Sequence, residues 1–229
     1  MRILGLIPAR GGSKRLPDKN KKLLAGKPLI NWTIELAKTS ASICDIVVST
    51  DDPEIAGLAL NAQVKVPWLR PKELATDSSS AAEVAVHTLD WYESHVGAVD
   101  GLLLLQPTSP FRSKETLERA VSMFKEERKR PILGVSTESA HPIYWLTPNG
   151  EISKVDTLES GSTSQYGDSV QRYRPNGLIY LNSPSDLRGT QTFLGENAIP
   201  LICNSQIEAI DIDTQEDWDL AELVARFRN

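Results

Sequence analysis

Short apolar runs alternate with stretches whose apolar residues recur at helical spacing, and this constrains the fold more than any other feature of the chain. Residues 3–7 form an unbroken apolar run of the kind a fully buried parallel strand requires. Further strands are predicted at 45–49, 102–105, 132–136, 177–181, 199–202 and 209–212, with a short one at 64–66. Between them, Pro28 opens a helical pattern through Ala37, and Pro53 begins one that runs to Asn61. Asp77-Ser78-Ser79-Ser80 followed by Glu83 is a helix start, and helices are expected at 114–128 and 214–227. Alternation of this type predicts an α/β three-layer sandwich with a mostly parallel sheet.

The pattern fails between 141 and 172, where Pro142, Pro148, Asn149-Gly150, Gly161 and Gly167 interrupt a polar stretch. That stretch is too long for an ordinary loop inside a compact domain. It is read as an excursion from the single domain spanning 1–229, packing on a partner subunit. With 25 Lys+Arg against 30 Asp+Glu, the net charge of −5 disfavours broad nonspecific binding to nucleic acid or anionic membrane. The first apolar run is too short for a signal peptide or a membrane span, so the cytoplasm is the expected location. Cys44 and Cys203 make no disulfide framework and have no metal-ligand spacing.

Ligands of open α/β sheets bind beyond the carboxyl ends of the strands. Three segments fall there. The first, 10–22, packs Arg10, Lys14, Arg15, Lys19, Lys21 and Lys22 into thirteen positions opposed only by Asp18, in an otherwise acidic chain. Gly11 and Gly12 allow close backbone approach, and their amides can point at anionic oxygens, which suits a polyphosphate. A solvated basic turn is the bland alternative. The spacing matches neither the Walker A loop nor the dinucleotide fingerprint.

Asp211-Ile212-Asp213 is the second segment. On a strand its two carboxylates would share one face, and two hard oxygen ligands suit Mg²⁺ held together with substrate phosphates. Alternatively, Asp213 simply caps the last helix. Third, Gln106-Pro107-Thr108-Ser109-Pro110-Phe111-Arg112 is a loop stiffened by two prolines, able to present Gln106, Thr108 and Ser109 to a ligand. Asn176 and Tyr180, beside the turn Arg174-Pro175-Asn176-Gly177, offer polar groups to the same rim. Neither His87 nor His95 stands in a catalytic motif, and no nucleophile elbow or His-Glu-x-x-His helix occurs.

Residues 7–20 with Gly26-Lys27-Pro28-Leu29-Ile30 closely resemble the opening of the acylneuraminate cytidylyltransferases, or CMP-sialic acid synthetases. Ser49-Thr50-Asp51, the 70–77 segment, the 106–112 loop, Arg174-Pro175-Asn176-Gly177 and Asp211-Ile212-Asp213-Thr214 match further motifs of that family in order, across nearly the whole chain. The resemblance implies a Rossmann-like, homodimeric nucleotidyltransferase that joins CTP to an acidic nine-carbon sugar and releases pyrophosphate. It implies that Arg10, Gly11, Gly12, Ser13, Lys14, Lys19 and Asn20 surround the nucleotide, completed by Arg70 and Asp77, Ser78, Ser79 and Ser80. Gln106, Thr108, Ser109, Asn176 and Tyr180 would face the sugar. Asp211 and Asp213 would hold Mg²⁺, with Mn²⁺ as the alternative ion, and Arg10, Lys14, Lys19 and Asp211 would carry the chemistry. The excursion would be the dimerisation segment.

Departures concern the sugar. Sialate-specific members place a Lys after the His-Pro of the excursion and an Arg before Arg-Pro-Asn-Gly; here those places hold Tyr144 and Tyr166, and Ala81 stands where a serine is expected. N-acetylneuraminate is the first expectation, followed by legionaminate or pseudaminate. The rival 3-deoxy-octulosonate enzymes end the basic loop differently from Asp18-Lys19-Asn20. A noncatalytic nucleotide sensor on the same fold would not need Lys14, Lys19, Asp211 and Asp213 together. An RNA-binding module would interleave aromatics with the basic residues.

Overall fold

The computed structural model describes residues 1–138, 144–146, 152–154 and 172–227. Ten strands and six helices follow in chain order among them: β1 (Ile3–Pro8), β2 (Leu23–Leu24), β3 (Lys27–Pro28), α1 (Leu29–Lys38), β4 (Ile43–Ser49), α2 (Pro53–Asn61), α3 (Ala81–His95), β5 (Gly101–Leu104), α4 (Lys114–Glu126), β6 (Ile132–Glu138), β7 (Tyr144–Leu146), β8 (Ile152–Lys154), β9 (Arg172–Asn182), α5 (Pro184–Thr190), β10 (Ile199–Ile202) and α6 (Gln215–Arg226). Six strands form the main sheet in the order β10-β6-β9-β5-β1-β4. β1 pairs in parallel with β4 and β5, and β10 with β6; β9 runs antiparallel between β5 and β6. The sheet is therefore mixed and mostly parallel, as expected.

Helices cover both faces because the parallel strands are apolar on both sides. Ile30 and Ile34 of α1, Ile55 and Ala59 of α2, and Leu117 and Phe124 of α4 pack with Ile3, Ile7 and Leu103 on one face. Val84, Leu89 and Tyr92 of α3 and Leu187 of α5 pack with Leu4, Leu6 and Leu104 on the other. Full burial of a side chain such as Phe124 or Leu117 contributes about 1.5–3 kcal/mol. The α3 start is a capping box between Ser80 and Glu83, and that of α6 joins Thr214 and Asp217.

Two strand expectations need correction. Residues 64–66 contribute only an isolated bridge between Val47 and Lys65. Residues 209–212 are not a strand: they have no ladder partner, and Ile212 is held by one backbone bond to the Thr108 carbonyl at 2.8 Å. Its burial beside Phe111 and Trp218 produces the alternating pattern that imitated a strand. Most of the 141–172 excursion lies outside the described residues, including Tyr166; within it, β7 and β8 form an antiparallel hairpin.

β9 is irregular where it matters for the site. Its register against β6 shifts between Leu133 and Val135, opposite the Asn176–Ile179 stretch. A Cβ at Gly134 would lie 2.8 Å from Asn176 Oδ1 and 2.9 Å from Ile179 N, so only glycine accommodates this bend. At the carboxyl ends of the parallel strands, the loops after β5 and β10 meet β9 at Gly177, and the loop after β1 shares a cleft with both loops.

Candidate active site

The loop after β1 divides its cations by direction. Lys21 pairs with Glu54 at 2.9 Å, Asp52 at 3.0 Å and Asp18 at 3.2 Å, and Lys22 lies over the Trp218 ring. Both serve the scaffold. Arg10, Lys14, Arg15 and Lys19 instead line a cleft of about 450 Å³, together with Ser13 and Asn20. Gln106, Thr108, Asp77 and Asp213 complete its walls.

Within this cleft each pair of cations holds one carboxylate. Arg10 and Lys14 reach Asp77 at 2.8 and 2.5 Å. Their positive charge, Lys14 foremost and Arg10 next, keeps the Asp77 carboxyl below the usual range. Arg15 and Lys19 reach Asp213 at 2.8 and 3.0 Å. Lys19 is buried, and its ammonium also donates to the Ile212 carbonyl at 2.7 Å. Asn20, equally buried, donates to the Arg10 carbonyl at 2.9 Å while its Oδ1 has no partner. An acceptor left open in a cleft wall is available to a donor on a bound ligand or to water.

Other expected nucleotide residues stand behind this surface. The Gly11 amide donates to Asp51 Oδ1 at 3.0 Å, so a protein carboxylate takes the place expected for a ligand anion. Gly12 has open space around its Cα. The Arg70 guanidinium is buried against Ser49, donating through Nε to Ser49 Oγ at 3.0 Å and through Nη2 to the Ser49 carbonyl. Burial holds it down to about 10. Ser78 and Ser79 bond Thr76, while Ser80 caps α3. Of the 77–80 group, only Asp77 enters the cleft wall.

The sugar-facing candidates gather next to this cleft. A Cβ built on Gly177, whose φ is +75°, would lie 3.2 Å from Ser109 Oγ, 3.3 Å from Gln106 Oε1 and 3.5 Å from Asp211 Oδ2. Thr108 hydrogen-bonds the Asp211 carboxylate, and Asp211 acts electrostatically on the half-buried Tyr180, whose hydroxyl is pushed up chiefly by burial. Asn176 spends its amide locally, donating to Ser136 Oγ at 3.1 Å and accepting from the Leu178 amide at 3.2 Å. A second cleft of about 590 Å³ opens here, lined by Ser136, Arg174, Asn176, Ser205 and Asp211. Asp211 and Asp213 thus face two adjoining clefts. Sequence reasoning counted Arg15 in the basic loop without giving it a site role, and assigned no role to Arg112, which is buried behind the Gln106 loop.

The Asp211–Asp213 pair does not arise from strand alternation, since the segment is a loop, and the cap of α6 is Thr214 rather than Asp213. The two carboxylates still influence each other. Crowding by protein raises the Asp211 carboxyl, and the negative charge of Asp213 adds to it, although solvent still reaches Asp211. A divalent cation would relieve that repulsion, so the donor set fits Mg²⁺ shared with phosphate oxygens. Among the described residues, no cluster of three or more His, Cys, Asp or Glu side chains could hold a metal by itself. None of the described helices is long and apolar enough to cross a membrane.

The chain is 42% identical over 224 residues to the CMP-N,N'-diacetyllegionaminic acid synthase of Legionella pneumophila, covering 97% of this chain and 95% of that protein. It is 32% identical to a pseudaminic acid cytidylyltransferase of Campylobacter jejuni, covering 98% and 96%. It is 31% identical to an N-acylneuraminate cytidylyltransferase of Escherichia coli, covering 100% of this chain and 53% of that longer protein. A solved CMP:2-keto-3-deoxy-manno-octonic acid synthetase complexed with CTP shares the fold, with a TM-score of 0.73 at 16% identity over both full chains. The family model described as cytidylyltransferase matches residues 4–223, and the chain belongs to the cytidylyltransferase family.

Proposed function

We propose that the protein transfers CMP from CTP to a nine-carbon nonulosonic acid, releasing pyrophosphate. The observation that carries this reading is Lys19, which joins the basic loop after β1 to the Asp211–Asp213 loop across one cleft. Four cations in that cleft suit a triphosphate, and the adjoining cluster of Gln106, Ser109, Tyr180 and Asp211 suits a hydroxyl-rich acid. Among the substrates named for its relatives, a diacetyllegionaminate-type sugar ranks first, because identity to the Legionella protein, at 42%, exceeds that to the other two compared, at 31% and 32%. This reorders the sequence expectation, which began with N-acetylneuraminate.

In this reading the anomeric hydroxyl of the sugar attacks the α-phosphorus in line. A new P–O bond to the sugar forms as the bond to the bridging oxygen of pyrophosphate breaks, and the hydroxyl proton is released to solvent. Positioning and charge neutralisation dominate such a transfer. Arg10, Lys14, Arg15 and Lys19 bind the phosphate oxygens and balance the charge that accumulates on pyrophosphate. The free acceptor on Asn20 orients the nucleotide. Gln106 and Ser109 orient the sugar. Asp211 and Asp213 would hold Mg²⁺, which would polarise the reacting phosphate. Residues 141–172 are proposed as the homodimer contact, on the irregularity of their sequence.

The test uses purified protein with Mg²⁺, each common nucleoside triphosphate and a panel of ulosonic acids. Pyrophosphate release is expected with CTP and a nine-carbon acid. Release only with the eight-carbon acid, or with no acid at all, overturns the proposal. Light scattering after size exclusion checks the dimer.

A further inference from the structure

Arg112 is buried, and the chemistry proposed above does not use it. Its Nε donates to the Leu178 carbonyl at 2.5 Å and its Nη2 to the Gln106 carbonyl at 3.3 Å, while the buried Nη1 has no partner. Among the described residues it forms no ion pair. Burial holds the guanidinium down to about 10, with Asp211 and Glu208 acting in the opposite sense. A buried cation without a bonded carboxylate is a poor device for stability alone, since an apolar side chain of similar volume is often at least as stabilising.

Its location supplies the reason for an arginine. The β5–β9 ladder ends with Leu104 opposite Tyr180. Beyond that pair β5 ends, Leu105 still bonding β1 through the Leu6 carbonyl, and the Gln106 loop has no ladder pairing with β9. Carbonyls at a parting pair of strands must find other donors. One planar guanidinium donates to both, in a fixed geometry that lysine cannot reproduce, and the Ser109 amide adds a second bond to the Gln106 carbonyl at 3.3 Å. Each carbonyl belongs to an element of the sugar cluster: one to Gln106 itself, the other to the residue after Gly177. Ser109, fully buried with an unpartnered Oγ, lies between them.

We propose that Arg112 is a positioning residue that sets the gap between the Gln106 loop and the Gly177 turn, and thereby the fit of the sugar acid but not of the nucleotide. The inference rests on the proposed function for its kinetic consequence, while its structural core stands apart from it.

Steady-state kinetics of Arg112→Lys and Arg112→Met, with thermal melting as a check of folding, test the proposal. In either folded variant the KM for the sugar should rise about tenfold or more while the KM for CTP stays within about twofold. Equal rises in both constants, or no rise in the sugar constant, overturn it. The Met variant provides the folded control if the unpaired Lys charge prevents folding. Should the wild-type protein release no pyrophosphate with any acid, the proposed function fails, and amide hydrogen exchange then judges Arg112 separately. Faster exchange confined to Ser109 and residues 176–178 supports the clamp; unchanged or uniformly faster exchange removes it.

Discussion

Lys19 Nζ stands 3.0 Å from Asp213 Oδ1 and donates to the Ile212 carbonyl at 2.7 Å, joining positions 194 and 193 residues apart. The ammonium is nine-tenths buried at its side chain, so its removal has two consequences. It strands the Ile212 carbonyl, a loss of about 1–3 kcal/mol for a buried partner, while the part-exposed Asp213 keeps Arg15. It also deletes a charge aimed at the phosphates. Lys19→Met is expected to lower the melting temperature measurably and to reduce turnover about 10²–10³-fold. A stable variant with normal pyrophosphate release would remove Lys19 from both roles.

Lys14 gives the contrasting case. Its side chain is 80% exposed, and its one ion pair among the described residues is with Asp77 at 2.5 Å. Exposed pairs contribute little to stability. Lys14→Ala should therefore melt within about 2 °C of wild type while turnover falls about 10²-fold or more. Circular dichroism melts and pyrophosphate assays on the same preparation separate the two effects; near-normal kinetics would place Lys14 outside the mechanism.

How far could these roles be read before folding? The loop after β1 was visible as a polyphosphate candidate because local charge density and strand placement are both sequence properties. Its internal division was not. Lys21 and Lys22 resemble Lys14 and Lys19 in sequence, yet acidic partners at 52 and 54 and the Trp218 ring draw them away from the cleft. Those partners are remote in sequence. The 209–212 segment misled for the opposite reason: Ile210 and Ile212 alternate with polar neighbours, but the core contact of Ile212 explains the pattern without a ladder. Most sheet strands were legible, being apolar on both faces. The Gly134 bend and the Arg112 link were not, because each depends on what another strand brings opposite it.

Asp77 occupies an unexpected position for a nucleotide-site residue, since a carboxylate repels phosphate. It is held between Arg10 and Lys14, and in the proposed function it would serve as an internal counter-anion that phosphate displaces. Asp77→Asn leaves both cations without their charged partner. Inhibition by added pyrophosphate should then tighten several-fold in steady-state assays. Weaker inhibition would mean that Asp77 orients the two cations for phosphate rather than competing with it.

Asp217 sets a pH window for the last helix. Its Oδ2 accepts from the Asp213 amide at 3.0 Å and from the Thr214 amide and hydroxyl at 2.8 Å each. Burial alone would raise its carboxyl; these donors outweigh that and hold it below the ordinary range. For a depressed carboxylate, the stabilisation is complete above the ordinary aspartate range near pH 4 and is lost as pH falls through the folded value. Asp217→Ala should cost about 1 kcal/mol at neutral pH, as loss of a cap does, seen as a fall of about 2–4 °C in melting temperature. The difference from wild type should shrink below about pH 4, as the native carboxylate takes up its proton. A gap that persists undiminished at pH 3 would show that packing of the side chain, rather than its charge, holds the start of α6. Because Asp213 hangs from the same carboxylate through its amide, the variant should also weaken CTP binding, measured by calorimetry at pH 7.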